Sequence, residues 1–482
     1  MRIRVANKII IEYPPQELRN WCRQNLSIPN PDYYKREAMG KWTGGTPESI
    51  VLYEQAGNTL LLPFGSLQDV WRLCGRDAEW RIEIAKKRTH AYGSNIQLYD
   101  YQQTAVEAAL RKKNGILVMP CGSGKTQSGL EIIARIGGRA LWLTHTQDLL
   151  NQSRKRAESV LQNTGTGTIT EGKINAGNGI TFATVQTMTH IDLTQYRDFW
   201  DTIIVDECQH CAGSPTRVSQ FYKVMSNLSA RYKIGLTATP HRADGLERSM
   251  FALLGDIIHE VDREAVADTT CPIEVHQIET GWMPDPEAII QGDGTIDYAK
   301  VIEALTTDDE RYKLVFGEAM QAATTGATLI LANRVEFLRQ MEEDMQAYDA
   351  KVMCLSGAKN TKKAKAERKE ALRMLNDGEL DAILATYQLA KEGLDVPNLR
   401  YVIFATPEKD PTTVIQSVGR VGRAAEGKTK GVALDFIDNF GLYRGWAKKR
   451  EACYRKIGAR IILDWNNKKI GNRIIPDWSK DN

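Results

Sequence analysis

Two short segments carry residue types suited to phosphate chemistry. The first is Pro120-Cys121-Gly122-Ser123-Gly124-Lys125-Thr126, which follows the apolar run Ile116-Leu117-Val118-Met119 and opens a helical stretch over 125–136. Gly122, Ser123 and Gly124 let the backbone curl so that its N–H groups face phosphate oxygens, and the helix that follows adds its positive N-terminal end. Lys125 would then reach the β- and γ-phosphates of a nucleotide, and the Thr126 hydroxyl would hold Mg²⁺. The full phosphate-loop pattern starts with Gly; this chain has Met119, which shapes the end of the strand. The second segment is Ile203-Ile204-Val205-Asp206-Glu207-Cys208-Gln209-His210. An apolar strand ending in two carboxylates suits metal-assisted hydrolysis, with Asp206 supporting Mg²⁺ and Glu207 as general base for the attacking water.

These segments need rigid elements to bring them together. From about residue 98 the chain alternates short β-branched runs with helical stretches, the rhythm of a parallel sheet with crossover helices. Strands are expected at 116–119, 140–143, 180–183, 202–205 and 233–236. The rhythm restarts after about residue 325, with strands at 328–331, 351–355, 382–385, 401–404 and 431–434. The expected fold class is α/β, with two tandem parallel-sheet domains and a small N-terminal α+β domain. The boundaries set on this basis are an accessory domain over 1–90, a first sheet domain over 91–262, a second over 263–445, and a basic tail over 446–482. The stretch 260–310 is less regular and is read as the interdomain connection. Residues 1–90 carry turn signals at Pro14-Pro15, Asn30-Pro31 and Gly44-Gly45 and no βα rhythm.

Composition limits the alternatives. The 482 residues carry a formal net charge of only +3. The ends differ from the middle: residues 1–90 hold 14 Lys and Arg against 10 Asp and Glu, and residues 441–482 hold 11 against 4. Basic ends suit a polyanionic partner. No apolar run reaches the roughly 18–20 residues a membrane span needs, and Met1–Val5 does not begin a signal peptide. The expected compartment is the cytoplasm of a bacterium or of a phage-infected cell. Cys208 and Cys211 form the one close cysteine pair, with no clear second pair of ligands for zinc, so they are read as two thiols beside the nucleotide site.

The phosphate loop, the Asp206-Glu207 box, Gly235-Leu236-Thr237-Ala238-Thr239-Pro240, and Gln416-Ser417-Val418-Gly419-Arg420-Val421-Gly422-Arg423 occur in this order. Together they resemble the superfamily 2 helicase set, over Leu98 to Arg423. The phrase Gly-Leu-Thr-Ala-Thr-Pro-His-Arg-Ala-Asp-Gly at 235–245 resembles the XPB-, RadD- and UvsW-like branch. The resemblance implies an ATP-dependent DNA helicase or translocase that acts on branched or forked DNA in repair or recombination, with ATP and Mg²⁺ as cofactors. Branched or single-stranded DNA is the implied partner. An RNA helicase, or an ATP-gated clamp that separates no strands, would use the same motor.

Residue roles follow from the same resemblance. Gln102 would read adenine, with Tyr99 standing where relatives often place Arg. Thr144, Thr184, Gln186 and Thr386 would contact the nucleic-acid backbone. Gly393 and Asp395, within Lys391–Pro397, would lie near the ribose and the domain interface. Arg420 and Arg423 would offset charge developing on the γ-phosphate. Gln209 stands where many relatives carry His or Asp, and it can still hydrogen-bond toward Thr237 or Gln416.

Overall fold

The computed structural model describes all residues except 76–77, 85–88, 212–219, 241–244, 292–294, 356–361, 392–395 and 465–482. The chain forms two compact units, Met1–Asp262 and Arg263–Asn482.

The first unit contains an eight-stranded sheet in the order Lys173–Asn175, Gly167–Thr170, Ile180–Thr184, Ala140–Thr144, Thr202–Asp206, Tyr232–Thr237, Asn114–Val118, Ile257–Glu260. Only the edge pairing of Lys173–Asn175 with Gly167–Thr170 is antiparallel; the other pairings are parallel. The central strands are buried on both faces, which explains their unbroken apolar runs. Because these strands run the same way, their C-terminal ends gather the phosphate loop, the two carboxylates and Thr237 at one edge.

Residues 1–82 add a five-stranded sheet in the order Glu54–Ala56, Thr59–Pro63, Lys8–Glu12, Arg2–Val5, Glu79–Ile82. Strict alternation in Lys8–Glu12 turns Ile9 and Ile11 inward, against Leu18 and Cys22 of the helix Gln16–Asn25. This core continues into the motor: Leu246 and Ala252 belong to the same cluster. Tyr222 Oη donates to Leu52 O at 2.7 Å, and Asn7 Nδ2 donates to Ser226 O at 2.7 Å. A Cβ on Gly65 would lie 2.2 Å from Phe251 O, so only glycine allows this approach. Lys233 is buried beneath the seam, donating to Leu228 O at 2.8 Å with its ammonium 4.2 Å from the Phe64 ring centroid. Burial pushes that amine down to about 7.

From this accessory domain the segment 31–48 stands out on a stem, in which Ser27–Pro29 pairs antiparallel with Ser49–Val51. Its helix, Pro31–Ala38, buries none of its residues. Two tryptophans of the accessory domain are not core residues: Trp42 is 79 % exposed and Trp71 50 %.

The second unit carries a seven-stranded parallel sheet in the order Val352–Leu355, Ala382–Thr386, Thr328–Ala332, Tyr401–Phe404, Gly431–Ile437, Ile273–Glu279, Arg460–Asp464. Two of these strands correct the sequence reading. Ile273–Glu279 lies within the stretch read as an irregular connection, yet it pairs along its whole length with Gly431–Ile437. Its polar residues Glu274, His276 and Gln277 hid it. Glu274 accepts from Lys430 Nζ at 2.6 Å, which keeps its charge in the sheet.

The second correction concerns the basic tail. The boundary at 445 falls inside the helix Gly441–Lys456, and Arg460–Asp464 joins the sheet. On that helix Lys448 and Lys449 are exposed, whereas Arg450 and Tyr454 are buried. Both buried residues bond Asp435, through Arg450 Nη2 at 2.7 Å and Tyr454 Oη at 3.0 Å. The helix is therefore half core element, and neither Arg450 nor Tyr454 is available to a phosphate or a base. A second buried pair, Arg311 with Asp438 at 2.7 Å, ties the helix Asp309–Thr325 to the end of Gly431–Ile437.

Candidate nucleotide site

The phosphate loop spans the gap between Asn114–Val118 and the helix Lys125–Ile136. Gly122 and Gly124 take φ values of 82° and 77°, where a side chain on an L-residue is strained. Gly124 is constrained twice, because a Cβ there would lie 2.3 Å from Gln102 Nε2. Ser123 donates from both N and Oγ to Pro120 O, at 3.2 and 2.7 Å, which tightens the curl. Gly124→Ala is expected to keep the fold. The left-handed backbone alone costs about 1–2 kcal/mol, so ATP binding should weaken by about tenfold. Calorimetric titration with ATP reads this, and wild-type affinity would mean the loop tolerates a side chain.

Gln102 is buried beside the loop. Its Oε1 accepts from Tyr99 N at 3.0 Å and its Nε2 donates to Ser123 O at 2.8 Å. The amide thus fastens the start of the helix Asp100–Lys112 to the phosphate loop, which leaves one of its N–H groups for a base. Tyr99 is exposed and stacks on Tyr101 with ring centroids 5.6 Å apart and planes at 7°.

At the end of Thr202–Asp206 the chain turns sharply, with Glu207 at φ 50°. Glu207 N donates to Asp206 Oδ1 at 3.0 Å, and Lys125 Nζ lies 3.9 Å from Glu207 Oε1. Burial, reinforced by the Glu207 charge, pushes the Asp206 carboxyl up to about 7. Burial also pushes Glu207 up, but the Lys125 ammonium, the Gln209 amide and His210 outweigh it and hold Glu207 below its usual range. Glu207 is therefore ionised, as a base must be, while Asp206 is a buried carboxylate short of positive charge. That is the situation a divalent cation relieves.

Glu207 is held from its far side as well. Gln209 Nε2 donates to Glu207 Oε2 at 2.8 Å, and Thr237 Oγ1 donates to Gln209 Oε1 at 2.6 Å. Thr237 Oγ1 in turn accepts from Thr239 N at 3.0 Å. Of the two partners expected for Gln209, the structure supplies Thr237. Cys208 and Cys211, neither in a disulfide, are buried in the core behind this turn.

Two imidazoles lie beside the base, and nothing in the sequence paired them. His145 and His210 stack with ring centroids 3.8 Å apart. Burial, with His210 alongside, pushes His145 down to about 3. The signal that could have joined them is topological: Ala140–Thr144 and Thr202–Asp206 are neighbours, with Leu143 opposite Val205.

The residues assigned to nucleic acid fall into two groups. Gln186 is exposed and donates from Nε2 to His145 O at 2.7 Å. Thr386 is half-buried and accepts from Leu389 N at 3.4 Å. Thr144 and Thr184 are buried, with hydroxyls bonded to Thr146 O at 3.0 Å and Thr187 Oγ1 at 3.0 Å. They shape the strand ends and present no hydroxyl to solvent.

In the second unit Gln416 and Arg420 lie four residues apart on the helix Pro411–Val421, and so share a face. Arg420 is buried and donates from Nη2 to Ala390 O at 2.5 Å. Arg423 lies just past the helix end, its carbonyl accepting from Lys428 Nζ at 2.8 Å. Gly393 and Asp395 lie outside the described residues.

A phosphate loop, a paired-carboxylate strand end and a second parallel sheet with an arginine-bearing helix define a tandem RecA-like ATPase. Two family descriptions match the chain: "Type III restriction enzyme, res subunit" over residues 95–242 and "Helicase conserved C-terminal domain" over 311–425. The chain is 26 % identical to the DNA 3'-5' translocase XPB2 of Sulfurisphaera tokodaii, over 68 % of this chain and 79 % of that protein. It is 27 % identical to the DNA 3'-5' helicase XPB of Kineococcus radiotolerans, over 70 % of this chain and 60 % of that one. Among solved structures, Dbp5 of S. cerevisiae bound to RNA and ADP BeF3 aligns with a TM-score of 0.54 at 15 % identity, covering 83 % of this chain and 94 % of that one. The chain belongs to the superfamily 2 helicases and is an ATP-dependent enzyme of that family.

Proposed function

We propose that the protein is an ATP-dependent DNA helicase or translocase that acts on branched or forked DNA. The observation that carries the hydrolytic part is Glu207, ionised, 3.9 Å from the phosphate-loop lysine and fixed by Gln209. DNA is favoured by the similarity to proteins named DNA 3'-5' translocase and helicase. Arg420 and Arg423 supply guanidinium charge to the γ-phosphate as bonds break, and Gln416 couples to the same step. Thr126 and Asp206 would hold Mg²⁺, which would neutralise phosphate charge. Glu207 takes the proton from water.

A preference for branch points is assigned to the accessory domain, specifically to the segment 31–48. Lys35, Arg36, Lys41 and Trp42 are all exposed there. Cations with a bare indole suit the place where duplex and unpaired bases meet. Lys35, Arg36, Lys41 and Trp42 replaced together by Ala should keep the fold, since none of the four is buried. The salt slope of DNA binding should fall by about two to three, and the preference for forked over linear DNA should shrink. Fluorescence anisotropy across a salt series reads both, and an unchanged slope with full fork preference would move selectivity to the motor. Strand displacement and ATPase assays on single strands, forks, four-way junctions and RNA test the wider reading. Stimulation by RNA alone would replace DNA as substrate, and stimulation without strand displacement would make the protein a translocase or clamp.

A further inference from the structure

His145 and His210 belong to different loops of the first unit and to different tasks. His145 follows the strand Ala140–Thr144, where the chain turns into the helix Gln147–Val160. That turn is tightly tethered: Thr144 Oγ1 donates to Thr146 O, and Thr146 Oγ1 accepts from Leu149 N at 3.3 Å. Gln186 is an exposed tether, whose amide holds the His145 carbonyl. His210 lies within the turn Cys208–Cys211, and its backbone N–H donates to Glu207 O at 3.1 Å. Its backbone is therefore fastened to that of the residue that bears the base. The two rings meet with planes at 32°, a direct contact between the Gln186 side of the sheet edge and the Glu207 side.

A second observation concerns how firmly the His145 ring is held. His145 Nδ1 is buried and has no hydrogen-bond partner. A buried nitrogen left unpaired disfavours the present position relative to any position that pairs it. A small shift of the loop would change the partners of that ring.

We infer that the stacked pair His145–His210 is a positioning device that carries nucleic-acid binding at the Gln186 loop to the catalytic carboxylate Glu207. This rests on the nucleic-acid-stimulated ATPase proposed above. A backbone phosphate competes for the Gln186 amide and so loosens the His145 carbonyl. His145 shifts, His210 follows because the rings are in contact, and Glu207 is re-aimed between Lys125 and Gln209. Neither histidine takes a proton from water; both act through Glu207.

The test compares ATP turnover of the full chain without and with saturating single-stranded DNA. The variants are His145→Ala, His210→Ala, the double variant, and His210→Phe. His210→Ala should lower the ratio of stimulated to basal kcat by about fivefold or more, while KM for ATP and Kd for DNA stay within about twofold. The double variant should be no worse than either single one, because both remove the same contact. His210→Phe should restore most of the stimulation, since a flat ring keeps the stack. Wild-type stimulation in His210→Ala would overturn the inference. So would a loss of stimulation matched by an equal loss of DNA affinity, or failure of Phe to rescue. A wild-type enzyme that no nucleic acid stimulates would overturn the functional reading itself, a result distinct from a stimulated wild type with a stimulated His210→Ala.

Discussion

Glu207→Gln is expected to bind ATP normally and to turn it over about 10²–10⁴-fold more slowly, the range that loss of a general base produces. The replacement keeps the shape of the side chain, and its carbonyl can still accept from Gln209 Nε2, which now bonds Glu207 Oε2 at 2.8 Å. What it loses is the negative charge that Lys125 stabilises and that water needs as proton acceptor. Lys125→Ala is the contrasting variant: it removes the phosphate contact and should lose ATP affinity as well. Single-turnover hydrolysis beside equilibrium binding of a fluorescent ATP analogue separates the two effects. A Glu207→Gln enzyme with the normal chemical rate would remove Glu207 as the base.

Arg450→Ala should be among the most destabilising single changes in the second unit. It leaves the fully buried charge of Asp435 without its cation, although Tyr454 Oη still donates to it, and also removes the bond from Arg450 Nη1 to Glu408 O at 3.0 Å. Breaking one side of a buried pair costs about 3–5 kcal/mol. Chemical denaturation followed by circular dichroism measures the loss, and a change under about 1 kcal/mol would show that Asp435 finds another partner or water. Arg450→Ala combined with Asp435→Asn should recover part of the loss, since no unpaired charge then remains. Lys448→Ala with Lys449→Ala, one step away on the exposed face, should leave stability within about 0.5 kcal/mol.

The contrast between these neighbouring residues shows where sequence reading reaches its limit. Lys448, Lys449 and Arg450 look alike as a charge run, and only the helical phase against a buried Asp435 separates them. The phosphate loop and the Asp206-Glu207 strand end were legible because their chemistry is local: the residues that act are adjacent, and their strand and helix context is written in the same dozen positions. The two parallel sheets were legible for the same reason, since strands buried on both faces are unbroken apolar runs. Ile273–Glu279 was hidden because Glu274, His276 and Gln277 break the run, and their partners, such as Lys430, lie far along the chain. His145 and His210 were hidden because only the adjacency of two strands unites them. Thr144 and Thr184 came from the family pattern with a role but without a direction, and their hydroxyls turn into the protein.

The seam between residues 1–82 and the first motor sheet changes what a truncation would mean. Leu246 and Ala252 complete the accessory core, Phe64 covers the buried ammonium of Lys233, and Gly65 sits against the Phe251 carbonyl. Cutting the chain near residue 90 would bare apolar surface on the motor and open a buried lysine to water, so such a fragment would report on damage as much as on recognition. The segment 31–48 is different in kind. Its two ends leave from one short antiparallel stem, Ser27–Pro29 with Ser49–Val51, and its helix buries nothing. It has the architecture of an interchangeable cassette: a tip of different length or chemistry can be spliced onto that stem without disturbing the motor, which makes it the natural place to re-target the enzyme to a different nucleic-acid shape.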